Sequence, residues 1–253
     1  MKFDILTLFP DMVNGFLGES ILGRAQKAGL IEINTHQIRD FSENKHRNVD
    51  DTPFGGGRGM LMAAPPIAGC LEHLFSTLPE GERRRVIYLS PKGSVLTQAK
   101  ASSLLAFDRL ILLCGHYEGV DERIIEEYVD EEISIGDYVL TGGELPACVL
   151  VDTVARMVDG VLAMPECFEE ESIASGLLEY PQYTRPVSFH GREVPEVLLS
   201  GHHANIAAWR LEEALKVTKE RRPELYEAYM AAHPPKVKKS RRKKPKTDEE
   251  QGK

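Results

Sequence analysis

The chain has no long apolar segment and few cysteines, and each absence argues against a class of protein. No run of about 18 or more consecutive apolar residues occurs in the 253 residues, so the sequence predicts no membrane-spanning helix. The N-terminus has the pattern of a short strand containing Asp4, with no cleavage site after it, so we expect no secretory signal. The four cysteines are widely spaced and form no CxxC pair, which argues against a disulfide framework and a zinc site. The expected compartment is the cytoplasm, where thiols stay reduced.

The net charge of −8 combines two regions of opposite sign. Residues 236–253 hold nine Lys/Arg and three Asp/Glu, a net charge of +6, and the remaining chain therefore carries −14. Such a charged, low-complexity segment cannot bury a core, so we predict a disordered basic tail over 236–253. The total charge neither supports nor excludes RNA binding, which depends on local patches.

Strand and helix patterns alternate through the first 160 residues. Apolar patterns predict strands at 3–9, 31–38, 86–89, 110–114 and 132–135, and helices at 19–28, 65–78, 97–107, 121–128 and 142–158. The continuous apolar run at 110–114 is typical of a parallel strand that is covered on both faces. This alternation predicts an α/β domain with a parallel sheet over 1–160.

The pattern changes after residue 160. Residues 161–190 show little periodicity and are predicted to be an interdomain linker. Residues 191–235 are predicted to form a small helical domain, with Pro223 well placed to open its last helix. The predicted basic tail follows.

The stretch GGGRG at 55–59 invites interpretation as a phosphate-binding loop. It does not fit the Walker pattern, because Met60-Leu61-Met62 follows where a lysine and a hydroxyl residue are required. A tight or flexible turn and a contact with a ligand both remain open for this loop.

Three further glycine-containing loops each follow a predicted strand. Their sequences are SPKG at 90–93, GHYEG at 115–119 and GDYVLTGGE at 136–144. Ligands of open parallel sheets bind outside the carboxyl ends of the strands, and glycines there let the backbone approach a ligand closely. None of the loops is a GxGxxG that opens a helix, which disfavours a dinucleotide fold. Together the three loops predict a site for a nucleoside-like ligand.

Two of these loops belong to longer motifs, GHYEGVDER at 115–123 and SIGDYVLTGGE at 134–144. The chain also contains DILTLFP at 4–10, DDTPFGGG at 50–57, GLLEYPQYTRP at 176–186 and LSGHH at 199–203. With this combination, from residue 1 to about residue 229, the chain resembles the bacterial tRNA (guanine-N1)-methyltransferases of the TrmD family, which is part of the SPOUT class.

The resemblance implies a fold, a reaction and partners. The implied fold is an α/β domain whose parallel sheet ends in a deep trefoil knot, followed by a small helical domain that binds tRNA. The implied reaction transfers a methyl group from S-adenosylmethionine to N1 of the guanine 3′ of the anticodon, position 37 of tRNA. The family acts as a homodimer and depends on Mg²⁺, but the sequence has no ligand cluster that would argue for a metal site, and we predict no metal-binding residue.

The resemblance also implies which residues hold S-adenosylmethionine. They come from the three loops and the strand ends before them: Tyr88, Leu89, Ser90, Pro91, Gly115, Tyr117, Glu118, Gly119, Ile135, Gly136, Asp137, Tyr138, Val139, Leu140, Gly142 and Gly143. A carboxylate at Glu118 would face the sulfonium cation favourably, and a capping or solvent contact is the alternative.

Methylation of guanine N1 requires loss of its proton, because the protonated nitrogen is a poor nucleophile. A carboxylate near N1 and a cation near O6 suit this step. The family positions for these roles are Glu171 as the base and Arg156 as the O6 stabiliser. Members usually carry aspartate at the position of Glu171, so Glu169 and Glu170 remain alternatives in a shifted register. Arg58 is a second departure, since proline or a small residue is commoner there.

Two other functions stay open from the sequence. A ribose 2′-O-methyltransferase of the same fold would need no base beside a nucleobase nitrogen, and its product would scarcely stop reverse transcriptase, whereas N1-methylguanine blocks it. A catalytically silent RNA-binding protein would take its affinity from the basic tail and would not bind S-adenosylmethionine.

Overall fold

A computed structural model describes residues 1–163, 172–173 and 175–234. The chain divides into two compact units, Met1–Glu170 and Glu171–Lys253. In chain order the first unit contains β1 (Lys2–Thr7), α1 (Pro10–Leu17), α2 (Ser20–Lys27), β2 (Glu32–Gln37), β3 (Asp50–Asp51), β4 (Leu61–Met62), α3 (Ala64–Thr77), β5 (Arg84–Val95), α4 (Gln98–Leu104), β6 (Arg109–Cys114), α5 (Glu122–Tyr128), β7 (Glu131–Ser134) and α6 (Glu144–Ala155).

Five strands of this unit form one sheet in the order β2-β1-β6-β5-β7. Every pairing within it is parallel, so the prediction of a parallel α/β domain is confirmed. The trefoil knot stays a prediction. Strands β3 and β4 form a separate antiparallel pair.

The sheet is covered on both faces, as the continuous apolar run at its centre predicted. All six residues of β6 are buried, and their side chains alternate between two hydrophobic clusters. Leu110 and Leu112 pack with residues of α1, α2, α4 and α6, and Ile111 and Leu113 pack with residues of α3 and α5. A strand of this kind loses polar alternation because both of its faces need apolar side chains.

Helix α1, the short strands β3 and β4 and the length of β5 differ from the sequence prediction. Helix α1 was not predicted; Pro10 sits in its first turn, where a missing N–H costs little, and Val13 and Leu17 are buried one turn apart. Strand β5 extends to Val95 rather than ending at residue 89, and its register against β7 shifts between Leu89 and Ser94. Residues 91 and 93 are a proline and a glycine, which are typical of a turn. In the structure they lie in a short excursion, where β5 leaves its pairing with β7 and then resumes it.

The second unit is largely helical, as predicted. It contains β8 (Ser188–Phe189), β9 (Arg192–Glu193), α7 (Glu196–Leu199), α8 (His203–Arg221) and α9 (Pro223–Ala232). Pro223 opens α9 as predicted. The Leu178 N–H donates to the Thr218 hydroxyl at 2.8 Å, which ties residues preceding β8 to the buried side of α8. The predicted bounds of the linker and the helical domain stay predictions, and the predicted basic tail lies outside the described residues.

The described cysteines, Cys70, Cys114 and Cys148, are buried free thiols, and Cys167 falls within the part of the chain that is not described. Among the described residues, no helix combines the length and the apolar composition needed to cross a bilayer.

Candidate functional site

A cavity of about 480 Å³ lies at the carboxyl ends of β5, β6 and β7. The three loops predicted from the sequence meet here, because these strands are neighbours in the parallel sheet. Fifteen of the sixteen predicted cofactor contacts line the cavity: Tyr88, Leu89, Ser90, Pro91, Gly115, Tyr117, Glu118, Gly119, Ile135, Gly136, Tyr138, Val139, Leu140, Gly142 and Gly143. Asp137 belongs to the same loop but is exposed and is not part of the wall.

Close backbone contacts explain why glycines occupy two wall positions. The Gly143 N–H donates to the Gly115 carbonyl at 2.9 Å, which joins the second loop to the third. A Cβ atom at Gly143 would lie 2.6 Å from the Cα of Cys114, and backbone cannot yield cheaply. A Cβ at Gly115 would lie 2.8 Å from the hydroxyl oxygen of Tyr88. Larger residues at either position would therefore deform the wall.

A buried hydrogen-bond network fixes the second and third loops to β1. The Glu144 carboxylate accepts a 2.6 Å hydrogen bond from the Thr7 hydroxyl and lies 2.7 Å from Nε2 of His116. The Phe9 N–H in turn donates to the Thr7 hydroxyl oxygen at 2.9 Å. Glu144 is buried, so the paired partners are what make a carboxylate tolerable there.

The sequence did not reveal this network. Thr7, His116 and Glu144 are far apart in the chain. They come together only when the sheet and its covering helices assemble. The motifs contained His116 and Glu144, but spacing along the chain gave neither of them a partner.

The GGGRG loop at 55–59 leads directly into the wall of the cavity. The Glu118 N–H donates to the Met60 carbonyl at 3.0 Å, and the Met62 N–H donates to the Gly119 carbonyl at 2.9 Å. Gly59 has a φ of +84°, and a Cβ there would meet the Glu118 side chain at 2.5 Å. The glycine at 59 thus serves a tight approach to the second loop, and Arg58 before it is exposed.

The charges around the cavity favour a cationic ligand. Glu118, Glu122 and Glu132 line it, and Lys92 is the one lysine or arginine among the lining residues that the structure describes. Lys92 lies 3.8 Å from Glu122, which offsets part of its charge. The wall therefore presents an excess of negative charge to a positively charged group.

Burial holds one phenol and two thiols around the cavity in their neutral forms. Burial raises the pKa of Tyr88 to about 12 and that of Cys148 to about 11. Burial also raises the pKa of Cys114, which immediately precedes the second loop. These thiols remain protonated at neutral pH and are packing residues rather than nucleophiles.

The two predicted catalytic residues are not brought to the cavity by the described part of a single chain. Arg156 is half-buried and follows the last residue of α6, whereas the cavity lies at the other end of that helix. Twelve helical residues separate the two ends, a distance of about 18 Å. Glu171 and its alternatives Glu169 and Glu170 fall within the stretch that is not described.

Within residues 1–163, 172–173 and 175–234, no group of three or more His, Cys, Asp or Glu side chains is arranged to hold a metal ion. The described residues therefore do not fit a dedicated magnesium site, and we derive no step through that ion.

A parallel α/β domain with a glycine-lined cavity at the carboxyl ends of neighbouring strands defines a class of enzymes that bind nucleoside-containing ligands there. Comparison with known families narrows this class of enzymes to one family. Residues 1–228 match the profile of the family described as tRNA (Guanine-1)-methyltransferase TrmD. The chain belongs to this family.

Individual relatives agree with the family match. The tRNA (guanine-N(1)-)-methyltransferase of Ruminiclostridium cellulolyticum is 58% identical over 228 residues, which cover 89% of this chain and 96% of that protein. The proteins of the same name from Lachnospira eligens and Clostridioides difficile are each 54% identical. Those alignments cover 92% and 89% of this chain and 98% and 97% of the relatives.

Proposed function

We propose that the protein transfers a methyl group from S-adenosylmethionine to N1 of the guanine at position 37 of tRNA, immediately 3′ of the anticodon. The observation that carries the proposal is the family match over 1–228. It is joined by the glycine-lined cavity, in which fifteen loop and strand-end residues meet. The relatives' shared name, tRNA (guanine-N(1)-)-methyltransferase, gives the base and the ring nitrogen.

The cavity suits S-adenosylmethionine in size, backbone access and charge. Its volume of about 480 Å³ falls in the range of small-molecule sites, about 300–1,000 Å³. The glycines at 115 and 143 add no side chain to the wall, so an adenine and a ribose can approach the main chain closely there. The carboxylates of Glu118, Glu122 and Glu132 complement the positive sulfur. When bound, the cofactor supplies a methyl group that is already activated, so the protein must align it and prepare the acceptor.

We assign two side chains to the activation of the acceptor guanine. Glu171 removes the proton from guanine N1, and Arg156 stabilises the negative charge that builds on O6 as the proton leaves. Glutamate has the chemistry of the usual aspartate with one more methylene. Asp137 keeps its assignment as a loop contact to the cofactor, although it is outside the cavity wall.

The active form is a homodimer. Arg156 follows the end of α6 that is opposite its own chain's cavity, and the helix is about 18 Å long, so a second copy provides a way to bring another Arg156 there. Helices α1 and α6 lie side by side and expose large apolar side chains: Met12 at 52%, Phe16 at 56%, Leu145 at 52% and Val149 at 43%. An apolar patch on adjacent helices is typical of a protein interface, and a twofold axis makes such a patch self-complementary.

Two variants test whether the dimer forms through this apolar patch and whether methylation requires the dimer. Leu145→Asp should convert the protein to monomers in analytical ultracentrifugation and abolish methylation, because a charge in an apolar interface is desolvated. Leu211→Asp, on the exposed face of α8, is the matched control and should leave both properties unchanged.

A mixing experiment tests whether Arg156 acts across the interface. Arg156→Ala and Gly143→Ala chains, each inactive alone, should regain activity when they are mixed and allowed to exchange. In the hybrid, an intact cavity meets an intact arginine. Failure to regain activity with hybrids demonstrably formed would place Arg156 outside the partner's site.

The reaction is tested by mass spectrometry of nucleosides from tRNA incubated with the protein and S-adenosylmethionine. We expect 1-methylguanosine from a transcript with guanine at position 37 and none from the same transcript with adenine there. A 2′-O-methylated nucleoside would identify the ribose methyltransferase instead. A lack of cofactor binding in calorimetry would identify the silent RNA-binding protein.

Two further properties belong to the proposal. The cytoplasm is the proposed compartment, because that is where bacterial tRNA is modified. Magnesium dependence, which the resemblance implies, is tested by adding EDTA to the methylation assay.

A further inference from the structure

The C-terminal unit contains a second cavity, of about 520 Å³, that the proposed reaction does not use. The segment 180–187 forms one side of it, and residues of α7 and α8 form the other. Two tyrosines of the segment, Tyr180 and Tyr183, line the cavity beside Arg210 of α8. The Arg210 guanidinium lies 4.8 Å from the centre of the Tyr180 ring. Flat aromatic and guanidinium groups side by side are the surfaces on which nucleobases stack.

The described residues that line this cavity carry a net positive charge. Arg185 and Arg210 line it, and none of the described lining residues is acidic. Neither arginine forms an ion pair within the described residues. Residues 175–234 taken together are not basic, since they hold seven Lys/Arg and eight Asp/Glu. The two uncompensated guanidinium groups are therefore a local feature, suited to an anion such as a phosphate.

The same cavity also exposes apolar side chains. Val187 and Leu199 line the cavity and are 50% and 55% exposed. A site that combines aromatic faces, exposed apolar area and two arginine side chains suits a nucleotide, which has an apolar base face and a charged phosphate.

We propose that this cavity binds one unpaired nucleotide of the tRNA, with its base against Tyr180 or Tyr183 and its phosphate at Arg185 and Arg210. The proposal rests on the proposed function only for the identity of the RNA. Its role is to hold the substrate while the cavity of the first unit carries the chemistry, so it should affect tRNA binding without changing the choice of guanine.

The chain provides its own probe, because Trp209 is its sole tryptophan and its ring lies 6.5 Å from that of Tyr183. Full-length protein is titrated with hexauridylate, which has no guanine to methylate. We expect quenching of Trp209 fluorescence. Arg210→Gln should weaken this binding about tenfold, because both a stacking partner and a phosphate contact are lost, and should lower the salt slope by about 0.7.

Arg192→Gln is the matched control, since Arg192 is exposed on β9, in the same unit, and does not line the cavity. It removes the same charge and should leave hexauridylate binding unchanged. In the methylation assay, Arg210→Gln should raise KM for tRNA while kcat and KM for S-adenosylmethionine stay as in the unmodified protein. Tyr180→Leu should weaken hexauridylate binding, and Tyr180→Phe should restore it.

Several results would overturn the proposal. If Arg210→Gln and Arg192→Gln weaken hexauridylate binding equally, the RNA is held by general electrostatic attraction and not by this cavity. Uridine monophosphate binding as tightly as hexauridylate would make the cavity a site for free nucleotides. A Trp209 signal that follows protein concentration instead of RNA would mean that a second copy covers the cavity. Because hexauridylate binding needs no methyl transfer, failure of the proposed reaction would leave this measurement intact.

Discussion

At the scale of single residues, Asp4 shows how a charge is accommodated inside an apolar sheet. Its carboxylate is 1% exposed, accepts hydrogen bonds from Arg109 and lies 2.7 Å from Nε2 of His36. Arg109 also donates from Nε to Glu82 at 2.8 Å. Burial alone would raise the pKa of Asp4, but the hydrogen bonds from His36 and Arg109 outweigh burial and hold its pKa below the usual 3.8. The cluster is fully paired and far from the reacting groups, so its role is structural.

Asp4→Asn should lower the free energy of unfolding by about 2–3 kcal/mol, because the buried guanidinium of Arg109 loses one of its two carboxylate partners and keeps Glu82. A carboxyl whose pKa is lower in the folded protein contributes stability above its unfolded pKa and loses it as the pH falls through the folded pKa. The difference between the two proteins in urea denaturation should therefore persist at pH 7 and shrink below about pH 4. Asp108→Asn removes an exposed carboxylate paired with Arg83 and should cost much less. An equal cost at both sites would contradict the structural role of Asp4.

The catalytic base is the second prediction at this scale. Glu171→Gln should keep the affinity for S-adenosylmethionine and lose most turnover, because an amide cannot accept the N1 proton at neutral pH. Calorimetry and single-turnover methylation measure the two quantities. The controls are Glu169→Gln and Glu170→Gln, which should remain active. Loss of turnover in one of these controls, with Glu171→Gln active, would move the base to that position.

At the scale of elements, the hydrogen bonds of Glu144 join β1, the second loop and α6. The cofactor cavity depends on this junction, because the two glycine loops that it holds are adjacent walls. The loops themselves contribute few apolar contacts, and Tyr138 and Val139 are 56% and 81% exposed. The buried carboxylate and the backbone hydrogen bond from Gly143 to Gly115 both join the second loop to the third.

Glu144→Ala should lower the free energy of unfolding by about 2–4 kcal/mol, since Thr7 and His116 lose a buried charged partner. It should also weaken cofactor binding, measured by calorimetry under conditions where the variant is folded. Glu126→Ala, on the exposed side of α5, is the matched control and should change stability by less than about 0.5 kcal/mol. A variant that is destabilised but binds S-adenosylmethionine normally would show that the junction does not shape the cavity.

At the scale of the whole molecule, charge is divided between an acidic body and the basic tail. The tail's net charge of +6 is attached to a chain that otherwise carries −14. Its residues lie beyond 1–228, the range that matches the family. A cationic segment attracts an RNA backbone without reading its sequence, and each neutralised phosphate releases a counterion.

Deleting residues 236–253 should raise the apparent KM for tRNA and flatten the dependence of tRNA binding on salt. KM for S-adenosylmethionine and the choice of guanine should not change, because the tail holds none of the predicted site residues. Filter binding at several salt concentrations, with the full chain beside the shortened one, measures the slope. Identical slopes would show that the tail does not contact RNA.

The sequence by itself determined the alternation of strands and helices in the first unit and the position of the glycine loops that line its cavity. Strand β6 was predictable because burial on both faces demands an unbroken apolar run, and the second and third loops because glycines follow strand ends. Pro223 marked the start of α9 for the same kind of local reason, since its fixed φ suits a first turn. These features depend on residues that are near one another in the chain.

Only the tertiary structure decided what depends on distant residues meeting. Thr7 and Glu144 are 137 positions apart, and their hydrogen bond exists because α6, which begins at Glu144, packs against β1 and β6, neighbours in the sheet. The strand β5 continues past Pro91 because β7 pairs with both sides of the excursion, which local turn composition does not indicate. Arg156 is ordinary in the sequence, and its separation from its own cavity follows from the length of α6. Local composition fixes backbone conformation, whereas these contacts depend on how the sheet and its covering helices assemble.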